Sequence, residues 1–475
     1  MSKAWLGRVR AGVRDAVDRC GLLQAYRRTA SLGKAAKFDR AFTALRREID
    51  GLEETGERRA LLVTGLLTVP AKPTLYPFFT RLMEAAPDLR IVLLDESRRE
   101  APADAPVERL VLPRALDFGM WDANAFMKPT QRDDELARRY DLIEPMVDRM
   151  LDRQMDVGRS GMRRLVCAYA DAYERLIRRI QPRAVLIWCQ FTKLHPLCAQ
   201  IAQAHGVKVL YMEFGSIPGT FAMEDQGQMG ESRIATEWES FLSNSVTAEE
   251  IDRAGQVLDF LRESGLNRNR QTDLPALGEL QDAIDAERPL IVFAGQNDFD
   301  SGLMPWDDHA RAHHSPSYRN SLEAAEAVAR IAWEEGWQFA YKPHPFMDAR
   351  GEKIDLPVIH KCNFNAMMDR ADVVVSGVSQ SGYVACIRRR PCVTVGYNQL
   401  RGKGCTYEAV DGDSLRETLR TALREGCTDR QQKMFRMHTA QLLKYALYDD
   451  LGERSLRYGR SPEEAAAWLS REMGV

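Results

Sequence analysis

The stretch ADVVVSGVSQSGYVACIRRRPCVTVG, residues 371–396, packs Ser376, Gly377, Ser379, Ser381 and Gly382 directly after a valine run and before a helix expected from about Tyr383. Small residues admit a ligand close to the backbone, hydroxyls donate hydrogen bonds, and the first amides of a helix favour an anion. The pattern fits a phosphate site; it also fits an ordinary strand-to-helix turn capped by serine. A second candidate is YKPHPFMD, residues 341–348. Pro343 and Pro345 stiffen the chain on either side of His344, so the imidazole is aimed by a loop. Such a histidine can neutralise charge on a departing phosphate, and Lys342 adds a point charge beside it.

Two further stretches supply carboxylates. In YMEFGSIPGTFAMEDQG, residues 211–227, Glu213 ends an apolar run and precedes Gly215, Pro218 and Gly219, so its carboxylate is expected to project from a tight loop. There it would deprotonate a hydroxyl or stabilise an oxocarbenium-like centre; otherwise it orders the loop, and Glu224 and Asp225 are weaker candidates nearby. In FAGQNDFDSG, residues 293–302, Gln296, Asp298 and Asp300 are placed to touch a substrate. Asp298-Phe299-Asp300 also spells a DxD pattern that can hold a metal on a diphosphate. His313 and His314 in HARAHHSP read as a solvated loop pair, and no metal is expected.

The elements that must carry these residues form two series. ALLVTG (60–65), RIVLLDE (90–96), AVLIWCQ (184–190) and VKVLYM (207–212) are apolar runs without alternation, as strands covered on both faces are. A helix over 195–206 joins the last two. After a polar passage at 245–287, which contains SGLNRNRQTDLP, the texture restarts with LIVFAG (290–295), QFAYK (338–342), LPVIH (356–360), DVVVSG (372–377) and CVTVG (392–396). SLEAAEAVARIAWEEG, residues 321–336, is the clearest helix there.

The chain of 475 residues, 45% of them hydrophobic, is long enough for two domains. The expected plan is α/β: two Rossmann-like domains facing a central cleft, with helical segments at either end. Boundaries fall at a basic helical segment 1–55, a first domain 56–245, a helical linker 246–287, a second domain 288–425 and terminal helices 426–475. Ligands of such folds bind beyond the carboxyl ends of the strands, where all four motifs lie.

Charge and cysteine usage narrow the class. The 66 Lys and Arg nearly balance 68 Asp and Glu, which argues against nucleic acid as a partner. Nine single cysteines without CxxC spacing read as reduced thiols in a cytoplasmic protein, and no signal peptide or membrane span is apparent. Residues 1–50 carry twelve Lys and Arg against five Asp and Glu, with Trp5, Val9, Val13 and Val17 on one helical stripe. This segment either lies on an anionic membrane surface as a peripheral contact or packs on the first domain.

Taken in order, EFGSIPGT, GQNDFDSG, YKPHP and the serine-rich turn with RRPCVTVG resemble the capsule polysaccharide synthesis family, over roughly residues 180–400. The resemblance implies a GT-B glycosyltransferase acting as Kdo transferases do, with CMP-Kdo as donor, a glycolipid or polysaccharide acceptor and no cofactor. It implies that His344, Ser379 and Ser381 contact the nucleotide phosphate, that Glu213 with Gly215 faces the sugar, and that Gln296 and Asp300 match a family Gln and Asp. Val384 stands where the family often has an acid, a departure at the nucleotide ribose. Two alternatives remain open: a CDP-polyol phosphotransferase-like polymerase, and a non-catalytic polysaccharide assembly factor on the same scaffold.

Overall fold

Runs of Val, Ile and Leu with no polar alternation become central strands because both of their faces are covered by helices. A computed structural model describes residues 22–54, 59–64, 75–95, 107–113, 128–153, 158–268, 271–348, 354–450 and 458–474. The stripe of Trp5, Val9, Val13 and Val17 lies outside the described residues. Its continuation, α1 (Leu22–Gly51), buries Phe38, Phe42, Leu45 and Ile49 in the same apolar cluster as the long helix Arg159–Ile180. The described part of the basic segment is thus packed on the first domain.

In the first half, β1 (Arg59–Thr64), β2 (Leu89–Asp95), β3 (Glu108–Val111), β4 (Ala184–Trp188) and β5 (Lys208–Phe214) run parallel. β6 (Thr220–Glu224) then folds back antiparallel on β5, with Glu213 opposite Ala222. A linking helix, α2 (Ala248–Ser264), carries the chain to the second half. There β7 (Leu290–Ala294), β8 (Gln338–Lys342), β9 (Val373–Ser376), β10 (Cys392–Thr394) and β11 (Tyr407–Glu408) form an all-parallel sheet in the order β11-β10-β9-β7-β8. LPVIH does not become a strand. It meets β8 through a single bridge, Tyr341 to Val358, because Pro357 can offer only its carbonyl.

The last residues return to the first half. β12 (Leu447–Asp449) pairs antiparallel with β6, so the first sheet has seven strands in the order β12-β6-β5-β4-β1-β2-β3. The segment 426–475, expected as helices alone, therefore adds an edge strand to a sheet laid down more than 220 residues earlier. The following helix, α3 (Pro462–Glu472), buries Ala465, Ala466 and Leu469 in the core on that sheet's face. No helix among the described residues is long and apolar enough to cross a membrane.

Strand order reverses once in the second sheet: from β7 the chain first moves out to β8 and then crosses to β9 on the other side. Above the carboxyl ends of such a pair the two following loops diverge and leave a crevice. This switch point lies opposite the β5–β6 turn of the first half. Arg149 and Arg153 of the first half fix the seam. The Arg149 guanidinium donates to the carbonyls of Phe191 and Phe299, and Arg153 forms a paired ion bridge with Asp300 at 2.7 and 2.9 Å.

Candidate functional site

A cavity of about 560 Å³ opens at this switch point, within the usual size range of small-molecule sites. Three strand ends of the second half contribute: Gly295 after β7, Lys342 to Pro345 at the end of β8, and Ser379 to Ser381 after β9. The first half contributes Gly215, Ser216 and Pro218 from the β5–β6 turn, and the linker contributes Asn267, Arg268 and Gln271. Among the described residues that line it are Arg268, Lys342, Lys361 and Arg388, with His344 and His360, and no Asp or Glu. A concave wall carrying cations and no carboxylate holds anions.

His344 is half-buried and takes a backbone N–H bond from Phe346 to its Nδ1 at 3.2 Å. Burial lowers its pKa below the ordinary histidine value, so the ring is neutral near pH 7. A neutral ring that accepts at Nδ1 carries its proton on Nε2, which leaves a donor for a ligand. Lys342 is nearly enclosed. Its Nζ donates to the carbonyls of Pro343 at 2.9 Å and His360 at 3.1 Å, and burial lowers its pKa.

The serine turn is internally braced. Ser376 and Ser381 share a hydroxyl hydrogen bond at 2.8 Å, and Ser379 Oγ accepts from the Ser381 amide at 3.1 Å. The helix starts at Ser381, two residues earlier than expected. Ser379 and Ser381 line the cavity; Ser376, fully buried, and Gly382 stand behind them. Val384, the departure from the family pattern, also faces the cavity.

Three expected site residues are satisfied by protein partners instead of standing open, and a fourth, Glu213, is turned inward. Gln296 Oε1 accepts from the Val378 amide at 2.7 Å. Asp298 accepts from the Ser321 amide at 3.1 Å and hydroxyl at 2.5 Å, fixing the start of the helix Ser321–Glu334. Asp300 is held by Arg153 and by Asn297 at 2.6 Å. Asp298 and Asp300 thus serve separate partners and do not converge as a DxD metal clamp would. Glu213 lies within β5 and does not project from a loop, so its buried carboxyl sits behind the cavity wall. Burial raises its pKa to about 7 against the pull of the neighbouring Arg268.

Sequence reasoning passed over Arg268, which it placed in the linker. This half-buried guanidinium donates to the carbonyls of Phe214 and Gly215, both at 3.1 Å, and lies 5.5 Å from the Phe214 ring. It ties the linker to the end of β5 and aligns a cation with the cavity. The one available signal was the pair of arginines in SGLNRNRQT, residues 264–272, where every other residue is uncharged.

A scan of protein-family models gives no match to the chain, and a search of curated proteins gives none either. Among solved structures, the chain is similar to the β-Kdo 2,7 transferase of Thermosulfurimonas dismutans KpsC at 19% identity, covering 63% of this chain and 89% of that one, with a TM-score of 0.38. The β-Kdo 2,4 transferase of the same protein is similar at 18% identity over 56% of this chain and 81% of that one, with a TM-score of 0.39. The calicheamicin glycosyltransferase CalG4 is similar at 13% identity over 88% of this chain and 99% of that one, with a TM-score of 0.34. Likeness at this level leaves activity and substrate to be argued from the cavity itself.

Proposed function

We propose that this chain is a glycosyltransferase that takes a sugar from a nucleotide donor, CMP-Kdo on the sequence resemblance, and passes it to a hydroxyl of a glycolipid or glycan in surface polysaccharide synthesis. The observation that carries the reading is the cavity at the switch point, walled by cations from the linker and the second half and by no carboxylate among the described residues. A nucleotide phosphate is the anion such a wall suits, and the cavity has room for a sugar beside it.

In this reading the phosphate rests against Ser379, Ser381 and the Nε2 proton of His344, and the sugar extends toward Gly215 and Pro218. As the bond between the anomeric carbon and the phosphate oxygen breaks, the nucleotide leaves with the electron pair, and Lys342, Arg268 and His344 offset its charge. The acceptor oxygen bonds to the same carbon and loses its proton. We assign that proton to Glu213, whose buried carboxyl has a pKa of about 7 and which stands two residues before Gly215 of the cavity wall. The cationic side chains of residues 1–50 would bring the enzyme to an acceptor held on an anionic membrane, while the apolar side of α1 stays on the first domain.

Thermal shift with a nucleotide panel tests the donor side, since a ligand held by the folded state raises Tm. CMP should stabilise the protein more than CDP or UDP. No shift from any nucleotide at millimolar concentration would remove the proposal, and a preference for CDP would favour transfer of a polyol phosphate. Turnover of CMP-Kdo with a glycolipid acceptor then tests the reaction.

A further inference from the structure

Away from the cavity, three side chains that lie far apart in sequence meet at the seam between the halves. Glu231 follows β6 of the first half, whereas His309 and His314 belong to the short helix Asp308–His313 and its C-cap in the second. Glu231 Oε1 lies 2.8 Å from His309 Nε2 and 3.0 Å from His314 Nε2. One ligand-capable atom of each residue falls within 4.8 Å of the other two.

We propose that Glu231, His309 and His314 form a binding site for a zinc-class divalent cation that clasps the two halves together. Two imidazoles and one carboxylate are a donor set that borderline transition ions select, while calcium and magnesium prefer oxygen throughout. Bonds of about 2.0–2.1 Å in a tetrahedral site set neighbouring ligand atoms roughly 3.3 Å apart. The two separations here fall a few tenths of an ångström short of that, so a small outward movement of the exposed His309 ring admits an ion.

The surroundings are built to hold the ligands in place. Glu231 Oε2 accepts from Gln190 Nε2 at 2.7 Å, and Gln190 in turn exchanges hydrogen bonds with Gln228, its Oε1 accepting from the Gln228 amide at 2.9 Å. Such an outer ring of hydrogen bonds orients a ligating carboxylate. Gly230 brings the Glu231 loop onto the histidine helix, where any Cβ would overlap the His313 carbonyl oxygen. The His314 ring is fully enclosed, while His309 remains 59% exposed, so a fourth ligand such as water can reach the ion from solvent.

The sequence suggested no metal because His313 and His314 read as a solvated loop pair; His314 is instead fully buried, and the third ligand comes from a loop 78 residues before His309. The site is independent of the sugar-transfer reading, since none of its three residues lines the cavity.

The test uses tag-free, full-length protein stripped with a chelator and titrated with cobalt, reading the visible absorption of four-coordinate Co²⁺. One ion per chain should bind and be displaced by zinc, and zinc should raise Tm. His309→Ala, at an exposed position the fold does not need, and Glu231→Gln should each weaken cobalt binding at least tenfold. His313→Ala, at the half-buried neighbour, should bind as wild type does. Absence of the cobalt spectrum and of any zinc-dependent Tm shift would overturn the proposal, as would equal binding by wild type and His309→Ala. Variants that lower Tm without any metal response would identify a hydrogen-bonded latch, which also overturns it.

Discussion

The Gln296 side chain joins two strand ends: its Oε1 accepts the Val378 amide at 2.7 Å, so the loop after β7 fixes the serine turn after β9. A Cβ on Gly377 would come 2.9 Å from that same oxygen, which is why a glycine lies between the two. Gln296→Met keeps the bulk and removes the acceptor, leaving a buried N–H unpaired at a cost of about 1–3 kcal/mol. Denaturant unfolding should show that loss, and nucleotide affinity should fall with it because Ser379 is no longer held.

His344→Ala should lower turnover by roughly two to three orders of magnitude, the usual effect of losing one preorganised donor at a developing charge. The hydrogen bond that its ring accepts from the Phe346 amide is long at 3.2 Å and local, so Tm should stay close to wild type. Steady-state kinetics and a melting curve on the same preparation check both halves of the statement. Unchanged turnover would remove the histidine from the reaction.

Asp298 and Asp300 should respond differently although they are two residues apart. Asp298→Ala strips the buried start of the helix Ser321–Glu334 of its acceptor and should cost about 1–3 kcal/mol. Asp300→Ala breaks a partly exposed pair with Arg153 across the seam and should cost about 1 kcal/mol or less. Urea unfolding of both variants decides; equal losses would contradict the separate partners described for them.

The contributions of Glu213 and Glu224 to stability should fall as pH rises from about 5 to 8. Burial raises the pKa of Glu213 to about 7 and that of Glu224 to about 8 from an ordinary 4.5. Arg268 opposes the shift at Glu213; Arg233 opposes it at Glu224, where the charges of Glu213 and Asp225 reinforce it. Between the unfolded and folded values the native state binds more protons than the unfolded chain. Each group therefore contributes stability that is complete below about pH 4.5 and is lost as pH passes its folded pKa, with a slope of at most ~1.4 kcal/mol per pH unit. Glu224→Gln keeps a neutral shape and should flatten the upper part of this decline in urea titrations run across pH.

Strands covered on both faces announced themselves, because β1, β2, β4, β5, β7 and β9 carry unbroken apolar runs that fill both faces. β6 and β12 did not. TFAME follows Pro218 and Gly219 and reads as loop, and LYD is three residues in a helical tail; the first is a strand because it folds back on β5, the second because β6 lies beside it. The same limit applies to the site. His344, Ser379 and Ser381 follow strand ends closely and could be found by position. The long-range partners that claim Asp298 and Asp300, Ser321 and Arg153, lie 23 and 147 residues away, and nothing local to the motif predicts them. Glu213 was identified as a strand-end carboxylate, but its inward direction depends on β6 covering it.

The return of the chain through β12 means that the halves cannot be separated by a cut in the linker. A fragment ending near residue 287 would lack β12 and α3, exposing the outer backbone edge of β6 and the apolar surface that Leu469 covers, an invitation to strand addition by other molecules. The complementary fragment would carry that strand and helix with nothing to dock on. Dissection into working parts requires grafting residues 447–474 onto the first half through a new connection, so that sheet order, not chain order, defines the unit.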